Sequence, residues 1–171
     1  MEVKCMYEKL KLSRIIIYEC EAYSRASIIA YADEKAEETK KRADDKSIGI
    51  YADNGEKLFE GTIEQDMTVR DEQGCRLIIN AVTKIDIAFK NINSDKSKAE
   101  ISADLSSCRV LNNENNAEME GYDIIGADDY VRVGDIVSFK GKSYRVTRMC
   151  ASYDADKGDE RFSCDCRIEP I

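Results

Sequence analysis

The sequence predicts a mainly β protein: two small antiparallel β-barrel-like modules with one short surface helix. Three observations predict it. Strand-sized runs rich in Ile, Val and Tyr recur, such as Ile15-Ile16-Ile17-Tyr18 and Leu77-Ile78-Ile79. Polar turn signals separate these runs at short intervals. Two Gly-punctuated hairpin units stand out, Asn54-Gly55-Glu56-Lys57-Leu58-Phe59-Glu60-Gly61-Thr62-Ile63 and Val133-Gly134-Asp135-Ile136-Val137-Ser138-Phe139-Lys140-Gly141-Lys142-Ser143-Tyr144-Arg145-Val146.

In chain order, residues 15–21 and 26–32 read as strands because β-branched and aromatic side chains fit a pleated surface. Residues 33–43 are rich in helix formers. Asp33 is placed to cap them, and Glu37 with Lys41 and Glu38 with Arg42 are favourable four-residue pairs. The apolar stripe of this helix is only Ala36 and Ala43, so it is expected on the surface. Residues 47–52 form a strand, Asp53-Asn54-Gly55 a turn, and 57–69 a long strand interrupted at Gly61. After a turn at 71–74, residues 75–82 form a strand whose near-continuous apolar run, 76–81, is expected to be buried on both faces. Residues 83–89 continue it or make one helical turn.

The polar stretch 91–98 is the expected linker between a first module, 1–90, and a second, 99–171. In the second, 107–111 is a candidate strand and Asn112-Asn113-Glu114-Asn115-Asn116 an exposed loop. Three strands then follow: 130–139, 143–153 and 161–169. Lys140-Gly141-Lys142 is the tight turn between the first two, and 154–160 a charged turn between the last two. Alternation of Tyr144, Val146 and Arg148 against Arg145, Thr147 and Met149 suits one core-facing side.

The 171 residues suffice for a real core. A hydrophobic share of 43% with 35% charged residues describes an ordinary folded protein. The formal net charge of -8 argues against phosphate-backbone binding, which relies on clustered Lys and Arg. No run approaches the length needed to cross a bilayer, and Met1-Glu2-Val3-Lys4 lacks the layout of an export signal, so synthesis in the cytoplasm without a membrane anchor is the expectation.

Seven cysteines, an odd number, do not suggest a disulfide framework. Cys164-Asp165-Cys166 has a one-residue spacing unlike that of zinc sites, and there is no His to complete one. In a strand these two thiols share a face, as small core residues do. Buried free thiols are therefore expected, with no metal and no cofactor. The lack of His also rules out Ser-His-Asp and Cys-His nucleophiles. Acid pairs such as Asp44-Asp45 and Asp128-Asp129 carry little information among 34 acids. No Gly-rich phosphate loop is present. The expectation is a non-enzyme with no catalytic, cofactor-binding or metal residues.

Leu58-Phe59-Glu60-Gly61-Thr62-Ile63, followed by Leu77-Ile78-Ile79-Asn80-Ala81 and Lys84-Ile85-Asp86-Ile87, resembles the first barrel of the late-control-D and VgrG-like baseplate hub proteins. These stand at the centre of contractile phage tails, tailocins and injection machines. The unit from Val133 to Thr147 is similar to the second barrel of that family, where Gly-Asp-x-Val opens a hairpin closing on Tyr-x-Val. The resemblance covers about half of the chain in two patches. It departs from the family in its middle, because only residues 88–132 separate the patches, so a short or minimal hub is implied. The resemblance implies a homotrimer whose tandem barrels form a pseudo-sixfold ring between a sixfold inner tube and a threefold central spike. Its partners would be tube, spike and other baseplate proteins, with 33–43 and 112–116 as candidate contact elements. The alternative from another class is a free-standing β-barrel module binding a small ligand or peptide, to which the nine Tyr would be suited.

Overall fold

The structure, a computed structural model, describes residues 1–7, 10–31, 46–72, 74–84, 97–100, 108–110, 121–127, 130–157 and 162–171. The chain is mainly β. Its strands are β1 (Glu2–Lys4), β2 (Lys11–Cys20), β3 (Tyr23–Tyr31), β4 (Ser47–Tyr51), β5 (Lys57–Asp71), β6 (Gly74–Lys84), β7 (Ser97–Glu100), β8 (Cys108–Val110), β9 (Tyr122–Ala127), β10 (Ile136–Phe139), β11 (Lys142–Asp154) and β12 (Phe162–Pro170). One short 3-10 turn spans Ala155–Lys157. The helix expected at 33–43 lies outside the described residues, as do the loop at 112–116 and most of the linker at 91–98; Ser97 and Lys98 open β7.

Two compact units emerge, and they interleave along the chain. The first comprises Met1–Ile17, Ser24–Lys84 and Tyr153–Glu160; the second comprises Tyr18–Tyr23, Ile85–Ser152 and Arg161–Ile171. In the first unit the strand order is β1-β4-β5-β6-β3-β2. In the second, β11, β12, β9 and β8 are neighbours in that order, β10 pairs with β11, and β7 pairs with β10. Every described register is antiparallel except β7 with β10, which is parallel.

The core of the first unit follows the two-residue period of its strands. On β2, Ile15 and Ile17 are fully buried while Arg14 is exposed. On β3, Ala26, Ile28 and Ala30 turn inward. The small alanines leave room for the branched residues of facing strands, which is how a dense interior is filled without strain. On β6, Leu77, Ile79 and Ala81 are buried and Arg76, Ile78 and Asn80 are only half-buried. The run expected to be covered on both faces is thus covered on one. Its antiparallel hairpin with β5 leaves the second face to the surroundings, unlike a parallel strand sandwiched by helices.

Strand β5 breaks the period twice. Ile50 pairs with Phe59 and Tyr51 with Lys57, so Leu58 is an extra residue in β5. That bulge lets the consecutive Leu58 and Phe59 both be buried, at 3% and 2% exposure. A second shift, with Ile63 opposite Ala81 and Gln65 opposite Asn80, makes Glu64 the extra residue facing β6. Gly61 does not interrupt the strand as expected: it pairs with Ile48 inside the ladder. It is glycine because there is no room for more. A Cβ there would lie 2.7 Å from the Phe59 ring, 2.7 Å from the Val82 carbonyl and 2.6 Å from the Thr83 hydroxyl, which donates to the Glu60 carbonyl.

The two Phe-x-Gly units therefore serve different ends. Gly61 is a close-approach position under an aromatic ring, whereas Gly141 sits in a two-residue turn. Phe139 pairs with Lys142, and the residues between, Lys140 (φ 52) and Gly141 (φ 72), both have the left-handed backbone of a type I′ hairpin turn. The other predicted turn also forms, closed by Gly55 N–H to the Ala52 carbonyl at 2.9 Å, with Gly55 at φ 82.

Three further differences from expectation concern the second unit. Residues 130–135 are not strand. Strand β9 has no strong sequence signal, being short and holding both Asp123 and Gly126. In β11 the buried set is Tyr144, Val146, Met149, Ala151 and Tyr153, so the inward face changes phase at Thr147-Arg148 and Met149 is buried, contrary to the alternation expected.

Gly61→Ala should lower stability by about 1–3 kcal/mol, because the new methyl meets backbone as well as side chain. The urea midpoint should fall while the slope of the transition stays unchanged; an unchanged midpoint would mean that β5 and β6 part at no cost.

Candidate functional site

The most constrained part of the second unit is the approach to the β10–β11 hairpin. Residues 132–135 make a turn in which Asp135 N–H donates to the Arg132 carbonyl at 3.0 Å. Gly134, at φ 95, takes the third position of a type II turn, which requires a positive φ. The Asp135 carboxylate closes the turn by accepting from the Arg132 N–H at 2.8 Å. Gly134 and Val146 then exchange bonds with the hairpin, Gly134 N–H to the Val146 carbonyl at 2.8 Å and Val146 N–H to the Asp135 carbonyl at 2.9 Å. The Gly-Asp pair is thus explained by backbone geometry and by a cap.

Glu19, 3% exposed at the end of β2, holds this turn. Its carboxylate accepts from Arg132 Nη2 at 3.1 Å and from the Val133 N–H at 3.4 Å. Burial works against the Arg132 charge, but the nearby charges of Glu19, Tyr130 and Asp135 and the Glu19 hydrogen bond outweigh it and hold the guanidinium above its usual range. Behind the turn, Tyr122, Phe139 and Tyr144 meet edge to face, with ring centroids 5.1, 5.7 and 6.3 Å apart. Such contacts add about 0.5–1.5 kcal/mol per pair beyond burial. Lys140 Nζ lies 4.7 Å from the Tyr122 ring centre.

The phase change in β11 has a consequence for the surface. Arg145 and Arg148 are three residues apart and both exposed, where strict alternation would have turned one inward. Residues 132–148 hold five bases (Arg132, Lys140, Lys142, Arg145, Arg148) against one acid, Asp135, a local charge of +4 in a chain of -8. Beside them β9 carries its own bulge: Cys164 pairs with Ala127 and Cys166 with Ile124, leaving one residue extra in β9. Gly126 adopts φ 67 there, and its N–H donates to the Asp165 carboxylate at 2.8 Å. Ile125 is left 42% exposed. A cavity of about 240 Å³ is lined by Asp123, Ile125, Arg148, Cys150, Asp165 and Arg167, among others. This is below the roughly 300–1,000 Å³ of usual small-molecule sites.

The outermost strands are short: β1 and β8 have three residues and β7 has four. On β1, Glu2 and Lys4 are exposed and 3.5 Å apart, and the Met1 amino group meets Asp53. Short, charged edges discourage unintended strand pairing. In the first unit, the Asp156 carboxylate accepts from the hydroxyls of Ser13 and Tyr31, tying the 3-10 turn to β2 and β3.

No group of three or more Cys, Asp or Glu placed to hold a metal occurs among the described residues. Cys164 and Cys166 share the buried face of β12, as their spacing implied. Cys5, Cys20, Cys75 and Cys150 are only half-buried, short of the burial expected. Burial pushes the Cys5 thiol above its ordinary value, partly offset by its bond to the Tyr7 carbonyl; burial and the charge of Asp165 do the same for Cys150. Neither is activated as a nucleophile. Of the two contact elements proposed from the sequence, neither falls among the described residues. The exposure of Arg145, Arg148 and Ile125 was missed, because it arises from the phase change of β11 and the bulge of β9, which leave no composition signal.

The sequence matches no protein-family model and no curated protein. Its fold does match solved structures. One is the E. coli c3393 protein, a component of the type VI secretion system described as structurally similar to the T4 bacteriophage tail proteins gp27 and gp5. That match has a TM-score of 0.68 and 8% identity over 100% of this chain and 77% of the other. Another is a tail protein from Neisseria meningitidis, with a TM-score of 0.64 and 7% identity over 98% of this chain and 96% of the other. At such identities the likeness is one of fold, shared with proteins of the tail and injection-system kind that the sequence resemblance named.

Two outcomes are expected. Glu19→Gln should cost about 1.5–3 kcal/mol in urea unfolding, the usual worth of a hydrogen bond to a charged group, whereas Arg145→Gln should stay within about 0.5 kcal/mol. In native protein at about pH 8, iodoacetamide should alkylate Cys5 and Cys150 more slowly than a free thiol, and Cys164 and Cys166 only on unfolding; mass spectrometry of the labelled peptides reads both.

Proposed function

We propose that this chain is a structural protein of a contractile tail or injection-machine baseplate, a hub or adaptor joining the inner tube to the central spike. The observation that carries the reading is the likeness of fold, which spans essentially the whole chain for both a type VI secretion component and a tail protein. The Phe-x-Gly-x-Ile and Gly-Asp-x-Val units support it. They occupy structurally demanding positions, Gly61 beneath Phe59 and Gly134-Asp135 at the mouth of a hairpin.

In this reading the work is done by surfaces and not by a reacting group. Two antiparallel β-barrel-like modules, 1–90 and 99–171 but for the exchanged pieces 18–23 and 153–160, repeat three times in a homotrimer. Six similar modules then face a sixfold tube while three chains face a threefold spike. Duplication inside the chain resolves the mismatch of symmetry. The protein is made in the cytoplasm and incorporated into the tail-like particle, with tube, spike and other baseplate proteins as partners.

Light scattering on the purified chain, alone and with co-expressed tube and spike proteins, tests this. The expected species has three times the 19.4 kDa protomer mass, alone or on addition of a partner. A strict monomer that ignores both partners would overturn the reading.

A further inference from the structure

Charge is unevenly laid out along this chain. Residues 53–72, which comprise β5 and the turns at its two ends, hold seven acids (Asp53, Glu56, Glu60, Glu64, Asp66, Asp71, Glu72) against Lys57 and Arg70, a local charge of -5. Residues 132–148 carry +4 in sequence; Arg132 is paired with Glu19 and Arg148 shares its cavity with Asp123 and Asp165, which leaves Lys140, Lys142 and Arg145 as the basic excess of this stretch. Each stretch also has an exposed apolar residue beside it in a strand. Met67 is 41% exposed on β5, next to the exposed Glu64 and Gln65, and Ile125 is 42% exposed on β9, by the cavity that Arg148 helps to line.

We propose that these two stretches meet between copies, the acidic face of β5 in one copy docking on the Arg145-Arg148 face of the next. The inference rests on the trimeric reading and adds to it the surfaces and the sense of the contact. A two-fold contact of either stretch with itself would set like charges together, which is unfavourable. A two-fold contact that pairs each stretch with the other would also set acid on base, but it stops at a dimer; given the trimeric reading the contact is head to tail, the kind that closes into a ring. A second copy is the occupant because the chain itself supplies a complementary stretch of nearly equal and opposite charge. Nucleic acid is a poorer fit, since the rest of the chain carries a net charge of -12 (-8 less the +4 of this stretch), which disfavours phosphate binding. Met67 and Ile125 then supply apolar area at the centre of a charged rim, the arrangement common in interfaces.

The contact should respond to salt, because screening shortens from about 8 Å at 0.15 M to about 3 Å at 1 M ionic strength. Sedimentation or light scattering of the wild-type chain across that range should show dissociation at the high end. The double variant Arg145→Glu/Arg148→Glu should weaken association at least about tenfold, with an unchanged far-UV spectrum. Adding Glu56→Lys and Glu64→Lys in the same chain sets new lysines against the new glutamates and should recover part of the lost association. If the Glu variant misfolds, Arg145→Gln/Arg148→Gln and the wild-type salt series carry the test. A trimer indifferent to salt and to these variants would overturn this contact while leaving the baseplate reading standing. A strict monomer that still binds tube or spike proteins would overturn the contact and the homotrimer alone. A monomer that also ignores them would overturn the baseplate reading too. Salt-sensitive binding of duplex DNA through the same arginines without self-association would overturn it in favour of a nucleic-acid partner.

Discussion

A β-strand turns every second residue to the same side, and most of what is particular to this chain follows from how it meets that constraint. An antiparallel sheet with one covered face needs an unbroken two-residue rhythm of apolar side chains. Here the rhythm is kept on β2 and β3 and deliberately reset elsewhere. Leu58 and Glu64 are extra residues in β5, one residue of β9 is extra near Gly126, and the inward face of β11 shifts at Thr147-Arg148. Each reset bends and twists its strand and re-aims the side chains beyond it. The buried neighbours Leu58 and Phe59, and the paired exposure of Arg145 and Arg148, are results of that single device.

The polar interior is small and specific. Glu19, Arg132 and Asp135 join the end of β2 to the mouth of the β10–β11 hairpin through three described hydrogen bonds from Arg132 and Val133. Arg132 keeps partial access to solvent while Glu19 is almost fully buried, and the carboxylate's loss of water is offset by the hydrogen bonds it accepts from Arg132 and Val133. The aromatic trio of Tyr122, Phe139 and Tyr144 supplies the apolar counterpart. Together they hold in place a hairpin whose outer side is free to carry charge.

Much of the fold was legible in the sequence for reasons that are physical. Strands β2 to β6 and β10 to β12 announce themselves through β-branched runs and through Asn-Gly and Lys-Gly turn chemistry. The likeness of fold to tail proteins was legible through two hairpin units whose glycines are fixed by geometry. What escaped was whatever the period cannot encode. Strand β9 exists because β8 and β12 pair with it, and tertiary pairing outweighs its weak local preference. The exposed arginine pair depends on a phase change that reads, in one dimension, as a continued strand. The residues expected to be covered on both sides, 76–81, have the apolar character of such a run but a neighbour on only one face.

The first unit draws on residues near both ends of the sequence, and the hydroxyl of Ser13 reaches the carboxylate of Asp156 across 143 positions. On the ribosome, β2 therefore waits for this tie until residue 156 has emerged. At synthesis rates of about 5–20 residues per second, that delay is on the order of ten seconds. During it, Ile15 and Ile17 have no finished interior to enter, and a nascent chain of this design depends on whatever shields apolar strands in the interval.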